Sequence, residues 1–253
     1  MVAGVGGTGV VTIGALIGMA AHLDGKGSGI IDMAGLSQKG GSVYSHIKIA
    51  DTPDAIKTIR VADGCANLML GCDVIVGAGN QALSTLSKST KALVNTHEQM
   101  PREFAYDKDF TLPTDLMHSR IVNTVGQANA DFVDASNYAT KLLGDSIGTN
   151  LFMLGVAYQK GLIPLSERAI CHAIDLNGVA IEMNKNAFAL GRHWVSDASR
   201  VDALLPSVTA EVTPQTLDEI IADRVGRLTA YQNTAYAGSY SDFIAKISDK
   251  PYA

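Results

Sequence analysis

The sequence is poor in cysteine and in charge. Its 253 residues include only three cysteines, Cys65, Cys72 and Cys171, with no C-x-x-C pair. This pattern argues against a disulfide framework and against a thiolate-bound metal cluster. The six histidines show no i, i+4 pair, so we expect no metal site. Charged residues make up 18% of the chain and apolar residues 47%, a composition that supplies a large buried core and excludes disorder.

Long hydrophobic runs and an excess of one charge are also missing. The most apolar early stretch, residues 10–21, is interrupted by Thr12, Gly14 and Gly18 and has no Lys or Arg before it. It therefore resembles neither a signal peptide nor a membrane span, and we expect a cytoplasmic protein. The net charge of −5 gives no electrostatic reason to expect nucleic acid or an anionic membrane as a partner.

Short apolar runs alternate with longer segments of helical periodicity. This alternation is typical of βαβ units and predicts a three-layer α/β, Rossmann-like domain with a mostly parallel sheet. We expect strands near residues 2–5, 28–32, 43–49, 73–77, 91–95 and 130–134, and helices near 9–22, 62–70, 80–87, 113–127, 136–143, 146–160 and 166–190.

The pattern changes after residue 191. A linker with Pro206 leads to Thr213 and Pro214, a pair typical of a helix start. We therefore predict an α/β domain over residues 1–191, followed by a linker and helical extension over 192–253 that begin a further domain.

The first candidate site is a glycine loop at the start of the chain. Its candidate binding residues are Gly4, Gly6, Gly7, Thr8 and Gly9, which satisfy G-x-G-x-x-G between a strand and a helix. Such a loop lets the backbone approach a diphosphate at a helix N-terminus. In a dinucleotide site, Asp32 would then accept a hydrogen bond from a ribose hydroxyl. The alternative is that the glycines only permit tight packing of helix on strand.

A second glycine-rich loop follows Asp32. Its candidate binding residues are Gln38, Lys39, Gly40 and Gly41, which offer an amide, a cation and backbone N–H groups to a phosphate or to a neighbouring domain. A simple turn explains the glycines equally well. We expect both loops to line one crevice at the carboxyl edge of the sheet. Because only three residues precede the first loop, we also expect the chain to be part of a longer protein.

Several segments of the chain together match one known family. They are Gly4-Val-Gly-Gly-Thr-Gly-Val-Val-Thr12, Asp32-Met-Ala-Gly-Leu-Ser-Gln-Lys-Gly-Gly-Ser42, Ser45-His-Ile-Lys-Ile49, Gly144-Asp145, Thr149-Asn150, and Asn184 to Phe188 with Gly191. This set resembles the gamma component of the 2-oxoacid:ferredoxin oxidoreductases, most closely the gamma region of the fused indolepyruvate ferredoxin oxidoreductases. Segments 216–221 and 228–232 resemble the start of the helical C-terminal region of those fused enzymes.

The resemblance implies a reaction and a set of partners. It implies oxidative decarboxylation of a 2-oxoacid, with CoA forming an acyl-CoA and electrons passing through iron–sulfur clusters to ferredoxin. Thiamine diphosphate supplies the carbanion chemistry in such enzymes. The family places the thiamine and cluster sites in other domains, in agreement with the scattered cysteines here. The gamma part is then a scaffold that packs against those domains, so the isolated chain is expected to be inactive.

Two other functions stay open at this level. One is a free-standing NAD(P)-binding dehydrogenase that uses the first loop, although the second loop leads us to expect NAD affinity no better than about millimolar. The other is a structural interaction domain that binds no ligand.

The remaining polar residues give weaker indications. His46 alternates with Tyr44 and Lys48, which favours a position facing solvent or another subunit. Asp145, Thr149 and Asn150 lie between two predicted helices, where helix capping is the simplest role. We assign no catalytic residue. Four tyrosines in the last 23 residues, Tyr231, Tyr236, Tyr240 and Tyr252, predict that the tail docks on the parent enzyme or on a second copy of the chain, unless it folds back on its own domain.

Overall fold

The chain forms two compact units, Met1–Pro206 and Ser207–Ala253. A computed structural model describes residues 1–35, 41–97, 112–206 and 216–248. Within these ranges no helix is both long and apolar enough to cross a bilayer.

The first unit is built on a six-stranded mixed sheet. Its strands are β1 (Val2–Val5), β2 (Gly27–Ala34), β3 (Ser42–Ala50), β4 (Leu68–Gly71), β5 (Lys91–Asn95) and β6 (Ala130–Val133). They lie in the order β2-β3-β1-β4-β5-β6. Strands β1, β4, β5 and β6 pair in parallel, whereas β3 is antiparallel to both β1 and β2. The predicted class, α/β with a mostly parallel sheet, is confirmed.

Helices α1 to α9 belong to the first unit with the sheet, and two further helices form the second unit. They are α1 (Val10–Leu23), α2 (Val74–Gly77), α3 (Asn80–Ser84), α4 (Thr114–Val125), α5 (Ala135–Tyr138), α6 (Thr149–Gln159), α7 (Glu167–Asn177), α8 (Ile181–Ser196), α9 (Ala198–Asp202), α10 (Leu217–Tyr231) and α11 (Thr234–Ser248). A π-helical turn, Ala139–Leu143, continues α5, and a 3-10 turn, Ser146–Gly148, precedes α6. The second unit consists of α10 and α11.

Alternate strand residues divide between two hydrophobic cores, as expected for a sheet covered on both faces. Val2, Leu70 and Leu93 pack with α1, α6, α7 and α8 on one face. Their neighbours Ala3 and Met69 pack with α2, α3 and α4 on the other. The sheet therefore forms the middle of three layers.

Two predicted elements around residue 70 were wrong. The apolar run at 73–77 is the short helix α2. The strand at this place is β4, which overlaps the end of the segment predicted as a helix over 62–70. The side chain of Asp73 accepts a hydrogen bond from Val76 N at 2.8 Å and so caps α2. Periodicity alone does not separate a short buried strand from a short buried helix.

The long helix predicted over 166–190 was also wrong, because it is two helices. Gly178 has φ +72° and ends α7, in the left-handed conformation that glycine adopts at helix ends. Ala180 has φ +45°, and α8 begins after it. The alanine spacing predicted the buried helix faces but did not predict the break between α7 and α8.

The start of the tail helix differs from the expectation as well. Thr213 and Pro214 lie outside the described residues. Helix α10 begins at Leu217, where Thr216 and Glu219 form a reciprocal capping box.

Candidate functional site

The first glycine loop leaves β1 and enters α1 through two left-handed glycines. Gly7 has φ +91° and Gly9 has φ +89°. The hydroxyl of Thr8 donates to the carbonyl of Val5 at 2.7 Å and closes the turn. Gly9 is the N-cap of α1 and supplies no side-chain cap. The positive end of the α1 helix dipole is therefore available to an anionic or hydrogen-bond-accepting group at this loop. Gly4, by contrast, lies inside β1.

The second loop meets the first at one hydrogen bond. Gln38, Lys39 and Gly40 lie outside the described residues, whereas Gly41 is described. Its carbonyl accepts from Gly6 N at 2.7 Å. A Cβ atom added to Gly6 would lie 3.2 Å from the same oxygen, so a side chain there would press on the Gly41 carbonyl. The structure thus joins the described ends of both loops.

The buried carboxylate of Asp73 holds the end of β1 in place, and the sequence pattern did not predict this role. Its carboxylate accepts from Val5 N at 2.7 Å and from Val76 N at 2.8 Å. The residue is only 4% exposed. Burial raises the pKa of Asp73, and the backbone hydrogen bonds oppose that effect. The available signal was an acidic residue two positions after a buried strand, which the expected strand over 73–77 obscured.

Asn150 connects the start of α6 to the glycine loop. Its Nδ2 donates to the carbonyl of Thr8 at 2.7 Å. Asp145 behaves as predicted, because it accepts from Ile147 N and caps the 3-10 turn. Thr149 donates instead to Ser146 O at 2.6 Å. Helix α6 has no side-chain cap, so Asn150 holds the glycine loop instead of capping a helix, a role that sequence spacing did not reveal.

A buried polar chain runs beside this contact. Asn95, at the end of β5, donates to Ser136 Oγ at 2.9 Å and to Cys72 O at 3.0 Å. Thr149 reaches the same Ser136 hydroxyl at 3.3 Å. These bonds tie the ends of β4 and β5 to α5 and α6.

These groups surround a crevice of about 390 Å³ at the carboxyl edge of the parallel strands. Its lining consists of Gly7, Thr8, Cys72, Asp73, Asn95, His97, Ser136, Asp145, Ser146, Ile147, Thr149 and Asn150. Of the predicted binding residues, Gly7 and Thr8 reach it. The described lining contains two carboxylates, several amides and hydroxyls, and neither Lys nor Arg.

Asp32 does not occupy the position that a dinucleotide site requires. It pairs in register with Ser45, which pairs with Val2, so it lies level with the beginning of β1 rather than with the loop. Strand β3 also separates β2 from β1. The β1–α1–β2 connection is therefore not the compact dinucleotide unit that G-x-G-x-x-G suggests.

His46 is buried, contrary to the predicted position at a surface. It is 1% exposed, and its Nδ1 accepts from Val61 N at 3.1 Å. Its Nε2 has no hydrogen-bond partner among the described residues. Burial lowers the pKa of His46, so the ring is held neutral.

The cysteines do not form a cluster site. Cys65 is exposed, Cys72 buried and Cys171 half-buried. Burial raises the pKa values of Cys72 and Cys171, which opposes thiolate formation. Across residues 1–35, 41–97, 112–206 and 216–248, no group of three or more His, Cys, Asp or Glu side chains could hold a metal ion.

Comparison with known proteins identifies the family. Residues 1–194 match the family described as pyruvate ferredoxin/flavodoxin oxidoreductase. The chain belongs to this family. This membership favours the main interpretation of the sequence over a free-standing dehydrogenase.

Similar proteins carry related names. The indolepyruvate oxidoreductase subunit IorB of Methanothermobacter thermautotrophicus is 27% identical over 192 residues, covering 75% of this chain and 93% of the relative. The IorB subunit of Pyrococcus horikoshii is 27% identical over 195 residues, covering 76% and 92%.

Solved structures share the fold. The gamma subunit of a keto/oxoacid ferredoxin oxidoreductase from Geobacter sulfurreducens has a TM-score of 0.53 at 20% identity, covering 77% of this chain and 96% of that one. A 2-oxoglutarate:ferredoxin oxidoreductase from Magnetococcus marinus, solved with 2-oxoglutarate, coenzyme A and succinyl-CoA, has a TM-score of 0.55 at 17% identity, covering 77% and 30%.

Proposed function

We propose that this chain is the gamma part of an indolepyruvate-type ferredoxin oxidoreductase and that its crevice borders the point where CoA reaches the active site. The observation that carries the proposal is the convergence of the first glycine loop, Gly41 and Asn150 at one edge of the sheet. The names of the similar subunits support the substrate class. Gly4, Gly6, Gly7, Thr8 and Gly9, with Gln38, Lys39, Gly40 and Gly41, are proposed to contact CoA or the adjoining domain.

The crevice chemistry suits a hydrogen-bonding, uncharged part of CoA. The hydroxyls of Thr8 and Ser146 on the crevice lining can pair with the amides of the pantetheine arm of CoA. Asp73 and Asp145 would repel phosphate groups, and the described lining holds no Lys or Arg to offset them. This chain's contribution is therefore to bind and orient the arm rather than to transfer a proton.

Thiamine diphosphate and the iron–sulfur clusters belong to other parts of the enzyme in this proposal. The described residues do not fit a cluster, because the three cysteines occupy different environments. When bound in the parent enzyme, thiamine diphosphate supplies the carbanion chemistry. The partners of this chain are then the thiamine-bearing and cluster-bearing domains in the cytoplasm, with ferredoxin as the acceptor of the whole enzyme.

We also propose domain boundaries for the chain. Residues 1–191 form the gamma domain, and residues 192–253 are a linker and the start of a further helical domain. The first compact unit extends to Pro206, so the beginning of the linker packs with the gamma domain.

Reconstitution tests the proposal. The chain is combined with the thiamine-bearing and cluster-bearing portions, and indolepyruvate- and CoA-dependent reduction of a viologen dye is measured. We expect activity only when this chain is present. The variant Asn150→Ala should raise the KM for CoA while leaving the KM for the 2-oxoacid unchanged, and exposed Asn123→Ala serves as the matched control. Full activity without the chain would overturn the proposal, as would iron–sulfur absorbance or dye reduction by the isolated chain.

A further inference from the structure

A second and larger cavity lies at the edge of the sheet opposite the crevice. It occupies about 640 Å³, within the range of small-molecule sites. The first residues of β1 and β4 and the last residues of β3 line it. The connection over residues 51–67 forms another part of its wall. That connection contains a single 3-10 turn, Pro53–Ala55, as its regular structure, and long connections of this kind in compact domains are usually functional.

Apolar side chains form much of the cavity wall. Its lining includes Ile17, Ile47, Ile49, Ile56, Leu68 and Leu162, drawn from α1, β3, β4, the 51–67 connection and the turn after α6. An aliphatic chain or an aromatic ring entering this space would leave water and contact hydrocarbon on several sides.

Two lysines place positive charge on the wall of the cavity. Lys48 and Lys57 line it, and the Lys48 ammonium donates to Thr58 Oγ1 at 3.0 Å. Among the described residues, neither lysine forms an ion pair with a carboxylate. The described lining itself contains no Asp or Glu. Both cations are therefore available to an anion that enters with an apolar group.

We propose that this cavity binds an organic monocarboxylate, with its aliphatic or aryl body against the apolar part of the wall that includes Ile56 and Val61, and its carboxylate at Lys48 and Lys57. A neutral apolar molecule would leave the ammonium groups unmatched, and a purely inorganic anion would leave the apolar walls unfilled. The hydroxyl of Thr58 holds the Lys48 ammonium in place, which lowers the entropy lost when the carboxylate binds. This site is separate from the CoA crevice and does not depend on the proposed function.

Calorimetry on the 253-residue chain with octanoate tests this site, with 1-octanol as the neutral match. We expect octanoate to bind at least about tenfold more tightly than 1-octanol, because only the carboxylate can form charge-assisted hydrogen bonds with the ammonium groups. Lys48→Gln should weaken octanoate binding about tenfold, whereas Lys48→Arg should largely restore it. Lys141→Gln, at an exposed lysine away from the cavity, should have no effect.

A variant that fills the cavity provides a second test that does not depend on replacing Lys48. Ala55→Trp places a large ring in the exposed part of the wall and should abolish binding while circular dichroism shows an unchanged fold. Equal affinity for 1-octanol and octanoate would overturn the proposal, as would octanoate binding that survives both Lys48→Gln and Ala55→Trp. Absence of binding at about millimolar octanoate by a folded chain would overturn it too. A dimer in sedimentation that Ala55→Trp disrupts would assign the surface to a second copy and overturn the small-molecule site.

Discussion

At the scale of single residues, Gly155 and Gly191 allow α6 and α8 to touch backbone to backbone. A Cβ atom on Gly155 would lie 2.1 Å from Phe188 O, and one on Gly191 would lie 2.0 Å from Phe152 O. We expect Gly155→Ala or Gly191→Ala to lower the free energy of unfolding by about 2–3 kcal/mol, since the helices must separate. Urea unfolding measures this change.

Gly226→Ala is the matched control for that pair. Gly226 lies within α10 and has no atom within 4 Å of the added Cβ position. Alanine there should be neutral or stabilise the helix by about 0.5–1 kcal/mol. Similar losses in all three variants would contradict the packing argument.

His46 should make stability depend on pH. Its ordinary pKa is near 6.5, and burial lowers the pKa in the folded state. As the pH falls below that ordinary value the unfolded chain takes up a proton first, so the free energy of unfolding falls with pH. We expect His46→Gln to show a smaller loss of melting temperature than the natural chain between about pH 7.5 and about pH 5.5.

Thermal unfolding of the exposed-histidine variant His22→Gln provides the comparison. It should keep the full pH dependence of the natural chain. If His46→Gln did the same, burial of the neutral ring would not be a source of the acid sensitivity.

At the scale of elements, the contact between the two glycine loops should matter more for catalysis than for stability. Gly6→Val presses on Gly41 O, and Gly40→Val alters the second loop. In the reconstituted enzyme we expect each to lower kcat/KM for CoA by about tenfold or more, and to lower the free energy of unfolding of this chain by only about 1–2 kcal/mol.

Gly25→Val separates strain from function in that experiment. Gly25 has φ +70° and open space around its Cβ position, so its replacement strains the backbone away from the crevice. It should lower stability and leave kcat/KM for CoA unchanged. Parallel losses of activity and stability in the loop variants would favour glycines that serve packing alone.

At the scale of the whole molecule, the two units should be separable. Helix α9 belongs with the first unit, because Val201 is 2% exposed and Tyr138 donates to Asp202. A truncation after Pro206 therefore keeps α9 with the unit to which it belongs. We expect residues 1–206 to stay folded with a similar melting temperature, as measured by circular dichroism.

The tail should instead affect assembly. Tyr231 is 79% exposed and Phe243 is 60% exposed, and aromatic side chains are enriched at interfaces. Light scattering of the truncated chain should show a changed oligomeric state, or binding assays should show lost association with the remaining enzyme. Unfolding of residues 1–206 would show that the tail belongs to the core of the first unit.

The sequence predicted the elements whose signals are local. Glycine at a strand-to-helix turn predicted β1 and α1, and alternating apolar runs predicted the α/β class. The matching segments led to the family to which the chain belongs. These conclusions depend on residue types at short spacing, where steric limits on backbone dihedrals act within a few residues.

Only the tertiary structure decided which distant groups meet. The position of β3 between β2 and β1 removed Asp32 from the predicted ribose site and buried His46. The bonds from Asp73 to Val5 and from Asn150 to Thr8 span distances along the chain that no local pattern encodes. Strand order and register are set by the packing of whole faces against helices, so they depend on long-range burial rather than on neighbouring residues.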